Sequence, residues 1–265
     1  MLYKIHYSCL SHIGNIRNNN QDNFICDGYY MNTDNNWIDF PICGTKTNRE
    51  KVTFGVFDGL GGEECGEIAS YIASKTASTI KIGKEADFDL FQYCHNANTE
   101  ICNYATLHDV SAMGTTVAMI VFAKKEIVLC NIGDSKIFKL SDKKMKQISK
   151  DHIGISAFGV KPPLSQNLGI PPTELIIEPY ISKEPYNDGD IYLICSDGLT
   201  DMVSIEEITK LIESRPIEES IILLLDKAIE NGGKDNITII LCKIERKTGK
   251  KIIMSKSSKN NHSSL

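Results

Sequence analysis

Apolar residues recur along this chain with a period of two in some stretches and close to four in others, the spacings of strands and helices. Alternation from Leu2 to Ser8 predicts a first strand, and Phe24-Ile25-Cys26 opens a second. Residues 31–51 are rich in Asn, Asp, Thr and Lys and predict a polar loop or irregular hairpin around the single tryptophan, Trp37. Val52 to Phe57 is a short β-branched and aromatic run, the composition of a buried strand. Ile68, Ile72, Thr76 and Ile80 fall every four residues and predict a helix, with a second from Phe88 to about Leu107. Beyond Gly114, the segments 115–122, 127–132, 136–140 and 146–149 are separated by short polar turns, which predicts an antiparallel meander. Further strands are expected at 175–178, 190–196 and 236–244, and helices at 205–214 and 217–231. The last of these helices would carry Ile217, Ile221, Leu224, Leu225, Ala228 and Ile229 on one face.

Strands interspersed with paired helices, without strict βαβ alternation, predict an α+β fold with antiparallel sheets. No boundary interrupts residues 1–245, so one domain is expected there. Residues 246–265 carry six Lys or Arg and no acid. They read as a basic, solvated tail rather than an anchoring segment.

Composition narrows the function classes. The chain is 42% apolar and 24% charged over 265 residues, ordinary for a soluble globular protein. No apolar run approaches the ~18 residues of a membrane span, and Met1 to Tyr7 has no signal-peptide core, so a cytoplasmic protein is expected. The net charge of −5 argues against a general attraction for nucleic acid but leaves an anionic substrate open. The nine cysteines are odd in number, lack C-x-x-C spacing and lie mostly in apolar stretches, so they are expected to be reduced.

Candidate chemistry gathers in four turns that join Asp to Gly: Phe57-Asp58-Gly59-Leu60-Gly61-Gly62, Ile132-Gly133-Asp134-Ser135, Ser196-Asp197-Gly198-Leu199 and Gly233-Lys234-Asp235-Asn236. One Asp beside Gly is ordinary turn chemistry. Here, however, Asp ends the most apolar strands of the chain, where a carboxylate at the rim of a core needs partners. If the turns converge, their charges repel unless cations lie between them, and oxygen-rich clusters suit magnesium or manganese. Arg17 and Asp22, in the polar segment Gly14 to Asp22, add a guanidinium able to grip a phosphate and one more carboxylate.

In this order and spacing the motifs resemble the metal-dependent protein phosphatases of the PPM family, also called type 2C. Arg17-x-x-Asn20-Gln21-Asp22 is similar to the first motif in its bacterial form, and Val56 to Gly62 to the central metal motif. Gly114-Thr115-Thr116, Asn131 to Ser135, Gln147 to His152, Leu193 to Asp201 and Gly233 to Thr238 complete the set. The resemblance implies a four-layer α-β-β-α sandwich, two packed antiparallel sheets flanked by helices. It implies a protein serine/threonine phosphatase with two to three divalent ions, manganese or magnesium, at one edge of the sandwich. Asp58 would bridge two ions, with the Gly59 carbonyl on one, while Asp197 and Asp235 would hold the other. Asp22 would act through a coordinated water, Asp134 with Asp197 would hold a third ion, and Arg17 would bind the substrate phosphate. A water between the ions would attack phosphorus, and Asp58 and Arg17 would be the residues closest to catalysis. Implied partners are phosphoserine and phosphothreonine proteins of a cognate protein kinase; charge and apolar patterning add no nucleic acid and no membrane span, and a monomer is the default expectation.

Two departures from the pattern stand out. Leu60 occupies a position where many members have His, as in bacterial forms. Lys150 to Gly159 fuses segments that the family separates by a flap, so the flap is expected to be almost wholly deleted and the site open and shallow. The turn Ser156 to Val160 also lacks the usual Arg and trailing Asp, while Pro162, Pro163, Pro171 and Pro172 mark a loop that could replace some of the cover. Two other readings are a pseudophosphatase acting as a regulator and a phosphatase for a small phosphorylated molecule. His152 lies in a family motif but reads as structural.

Overall fold

The computed structural model describes residues 2–60, 65–156 and 162–247. Gly61 and Gly62, residues 157–160 of the Ser156 to Val160 turn, and all but the first two residues of the basic tail lie outside the described residues. In chain order the first strands are β1 (Tyr3–His12), β2 (Asn23–Cys26), β3 (Ile42–Thr47), β4 (Val52–Phe57) and β5 (Gly59–Leu60). Two helices follow, α1 (Gly66–Thr79) and α2 (Ala86–Leu107). Next come β6 (Gly114–Thr115), β7 (Val117–Phe122), β8 (Glu126–Ile132), β9 (Lys136–Ser141), β10 (Lys144–Gln147), β11 (Tyr180–Pro185) and β12 (Ile191–Cys195). The chain continues through α3 (Asp197–Thr200), α4 (Ile205–Glu213) and α5 (Ile217–Glu230) to β13 (Ile237–Arg246).

The strands form a six-stranded sheet, ordered β10-β9-β12-β13-β1-β3, and a five-stranded sheet, ordered β11-β8-β7-β4-β2. Each strand's alternation decides which layer it feeds. Along β7, Ala118, Ile120 and Phe122 enter the core between the sheets. Val117, Met119 and Val121 face α1 and α2 instead. Along β12, Tyr192 and Ile194 point between the sheets. Ile191, Leu193 and Cys195 meet α4 and α5 on the other side. Three apolar layers thus separate four layers of structure, the expected α-β-β-α sandwich. All nine cysteines are free thiols, as their spacing predicts.

Several local expectations are corrected. The meander is split: β7 and β8 pair in one sheet, whereas β9 and β10 belong to the other. The turn through Gly133-Asp134-Ser135 is therefore where the chain changes sheets. No strand forms at 175–178; the strand lies at β11 instead, paired to β8. Residues 42–47, expected as part of a polar loop or irregular hairpin, are β3, held at the sheet edge by β1.

The stripe on α1 is also not the expected one. Ala69, Ser70, Ala73, Ser74 and Ala77 form its buried face. Ile68, Ile72 and Ile80 pack only partly against the core. Small residues let α1 lie close to α2, where the Tyr93 hydroxyl donates to the Ala73 carbonyl at 3.0 Å. Enlarging this face should be costly: Ala73→Leu is expected to destabilise by about 1–3 kcal/mol through overpacking. Thermal unfolding should register a fall of roughly 2–4 °C per kcal/mol, and an unchanged midpoint contradicts the close approach.

Candidate metal centre

The rim is built where strands from both sheets end at the same edge. Asp58 follows β4, and its backbone is locked to β6 and the residue after it. The Asp58 amide donates to Thr116 Oγ1 at 3.0 Å, and the Asp58 carbonyl accepts from the Thr116 amide at 2.9 Å and from Thr115 Oγ1 at 3.0 Å. Only the carboxylate remains to face the rim. The Gly59 amide donates to the Gln21 carbonyl at 3.1 Å. A Cβ at Gly59 would collide with the carbonyls of Gln21 and Gly66, so the segment carrying Asp22 can close on Asp58 only at a glycine.

Asp134 sits at the crossing between sheets. Ser135 Oγ meets Thr116 Oγ1 at 2.6 Å, tying this turn to the one that locks Asp58. The Gly133 amide donates to His152 Nδ1 at 3.2 Å, and the His152 amide donates to the Gly133 carbonyl at 2.9 Å. His152 thus clasps the turn that carries Asp134. Lys136 Nζ donates to the Asp134 carbonyl at 3.0 Å and to Asp151 at 2.8 Å.

Asp197 begins α3 at the end of β12. The residue before it, Ser196, donates its hydroxyl to Asp22 Oδ2 at 2.7 Å and accepts from the Thr238 amide at 3.0 Å. Asp235 precedes β13 and receives Arg17 Nη2 at 2.7 Å. Asn236 fastens this turn to the Arg17 loop. It accepts from the Gln21 amide at 2.8 Å and donates to the carbonyls of Ile13 at 2.9 Å and Asn19 at 3.0 Å. Gly14, with a φ of +83°, lies where a Cβ would strike the Asp235 and Gly233 carbonyls.

Asp58, Asp134 and Asp197 each offer a carboxylate oxygen, and these atoms all lie within 4.8 Å of one another. Asp22 is buried beside them, and Arg17 and Asp235 form a half-exposed ion pair at the margin. Burial outweighs the hydroxyls that bond Asp22 and, together with repulsion from Asp197 and Asp235, pushes its pKa up to about 7. Asp58 is pushed well above the carboxylate range, first by lost hydration and then by Asp22, Asp197, Asp134 and Asp235. Arg17 is held further toward its charged form, chiefly by its bond to Asp235. The donors are hard oxygens from separate turns, each turn fixed through its backbone. That set fits divalent cations of the magnesium and manganese type.

The sequence placed Asp58, Asp134, Asp197 and Asp235 beside expected strands and Asp22 in a polar segment. It did not reveal that Thr116, Ser196 and Asn236 do the fastening. Each lies within one of the motifs, but a hydroxyl or amide in a motif gives no sign of where its bonds go.

Comparison with known proteins adds an independent line. The family model described as Protein phosphatase 2C matches residues 42–232. The serine/threonine phosphatase stp of Listeria monocytogenes is 29% identical over 248 residues, covering 86% of this chain and 91% of that protein. The serine/threonine protein phosphatase PstP of Mycobacterium tuberculosis is 30% identical over 202 residues, covering 71% of this chain and 39% of that protein. The crystal structure of the PstP catalytic domain, described as a complex with two manganese ions, superposes with a TM-score of 0.74 at 26% identity. That superposition covers 92% of this chain and 100% of the domain.

The raised carboxylates set a sign for stability. Groups whose folded-state pKa is raised favour the neutral form, so their contribution is full at low pH and is lost as pH rises through the folded value, about 7 for Asp22. In chelator-treated protein the thermal midpoint is therefore expected to fall between pH 5 and pH 8. Manganese added at pH 8 should restore it. A midpoint flat across that window and insensitive to manganese contradicts the crowding.

Proposed function

This chain belongs to the protein phosphatase 2C family, and we propose that it hydrolyses phosphoserine and phosphothreonine esters of proteins at the carboxylate rim around Asp58. The observation carrying this reading is the meeting of Asp58, Asp134 and Asp197 within 4.8 Å, from three separate turns. The names of the listerial and mycobacterial relatives support the substrate class, and the manganese of the PstP domain supports the cofactor.

Asp58, the Gly59 carbonyl, Asp197 and Asp235 would hold two ions, Asp22 would contribute through a water, and Asp134 with Asp197 would take a third. When bound, such ions acidify a water at neutral pH and offset charge on the phosphoryl oxygens. The chain's own residues do the positioning. Asp58 is aimed by its backbone bonds to Thr115 and Thr116, and Asp22 by the Ser196 hydroxyl. Arg17 supplies a planar fork for two phosphate oxygens. Its bond to Asp235 keeps the guanidinium at the rim, and a phosphate arriving there exchanges for the carboxylate. The position after Asp-Gly is Leu60, so no histidine adjoins the reacting group on that side.

Retention of the whole carboxylate set favours catalysis over a purely regulatory role. Among the described residues no helix is long and apolar enough to cross a membrane. A cytoplasmic site of action, a cognate protein kinase, a monomeric state and a single domain over 1–245 belong to the same proposal.

The test is hydrolysis of a phosphothreonine peptide and of p-nitrophenyl phosphate, with manganese and with chelator. Activity should require the metal and fall about a thousandfold or more in Asp58→Ala. Arg17→Ala should raise KM for the peptide roughly tenfold, with a smaller change in kcat. Metal-replete, folded protein that is inert on both substrates overturns the reading.

A further inference from the structure

A cleft of about 800 Å³ opens beside the carboxylate rim, between the end of α2, the connection into β6 and the segment 167–174. Its wall nearest the rim is Leu60 and Gly114, which face one another across the β5–β6 ladder. Leu60 stands two residues from Asp58. Met113 and Ile170 supply apolar surface, whereas Asp109 and Glu174 supply the charge. No Lys, Arg or His lines the cleft among the described residues. Glu174 makes its charge felt inside, where it adds to burial in raising the Cys102 thiol.

This cleft is held open by backbone anchors. The Asn98 side chain donates to the Ile170 carbonyl at 3.0 Å and accepts from the Gly169 amide at 2.7 Å. Leu168 exchanges amide–carbonyl bonds with Thr115 at 3.0 and 2.9 Å. The segment from Leu168 to Ile170 is thus bolted to the strand beside Asp58 and forms one wall of a preformed groove.

We propose that this groove docks the chain flanking the phosphorylated residue, and that it selects protein substrates with an apolar residue and an Arg or Lys a few positions away. The inference rests on the phosphatase reading. An extended peptide advances about 3.3 Å per residue. With its phosphate at Asp58 and the groove beginning at Leu60, side chains two to five residues from the phosphorylated one reach the groove. Apolar walls take the aliphatic side chain, and Asp109 and Glu174 face its basic neighbour. Charge complementarity and continuity with the rim single out a basic phosphopeptide over an acidic one.

The experiment uses the full chain with manganese and two phosphothreonine peptides identical except for Leu-Arg or Leu-Glu at those flanking positions. The kcat/KM ratio is expected to favour the Arg peptide about tenfold at low salt, from two partly exposed charge contacts. It should fall toward one in the Asp109→Asn, Glu174→Gln double variant. It should also fall toward one for the unaltered chain in 0.5 M salt, where such contacts are screened; this arm decides the matter if the variant does not fold. A ratio near one for the unaltered chain at low salt, or an unchanged ratio in the folded double variant, overturns the groove. Where p-nitrophenyl phosphate is still hydrolysed, that failure leaves the phosphatase reading standing. Loss of hydrolysis on every substrate is instead the failure of the phosphatase reading itself.

Discussion

Like charges held together at low hydration are the condition on which this molecule turns. Asp22, Asp58, Asp134 and Asp197 stand at one edge of the sandwich, and the oxygens of the last three come within 4.8 Å of each other. Such an arrangement lowers stability unless something positive sits among the carboxylates or their protons are retained. The fold does not avoid that cost; it concentrates it. Three apolar layers provide a stiff frame whose strands end at one edge, and hydrogen bonds donated by Thr115 and Ser196 and accepted by Thr116 and Asn236 fasten the turns there. A frame able to hold repelling groups in place is a frame able to hold cations.

That division of labour explains which features of the fold could be read in the sequence. Elements with a strong local signal, such as the apolar run of β4, the long helix α2 and the apolar face of α5, lie close to their expected limits. Features set by distant partners do not. Nothing local says that β8 and β9, joined by a three-residue turn, belong to different sheets. The strand β3 has a polar sequence because only one edge of it meets the sheet, at β1. On α1 the isoleucine spacing is regular, yet the helix turns its alanines and serines inward because close approach to its neighbours requires small residues.

The rim carboxylates stood out in the sequence for a physical reason. A carboxylate at the end of an apolar strand is expensive, so repeated instances in one chain point to a shared purpose. Their convergence follows from topology, since the turns that carry them lie at the same edge of both sheets. What stayed hidden was the pairing within the site. Arg17 and Asp235 lie far apart in sequence and had separate expected roles, toward phosphate and toward metal. In the structure they hold one another at 2.7 Å. The two roles are compatible because each group's alternative partner carries the charge the other would lose.

The most direct measurement of the central claim counts ions rather than turnover. Manganese binding to the chelator-stripped full chain, followed by electron paramagnetic resonance and calorimetry at pH 7.5, should show at least two ions per chain, released protons, and loss of binding in Asp58→Asn. Proton release is expected because the crowded carboxylates retain protons until a cation replaces them. A folded chain that binds no manganese, or that binds it equally well in Asp58→Asn, would contradict the account.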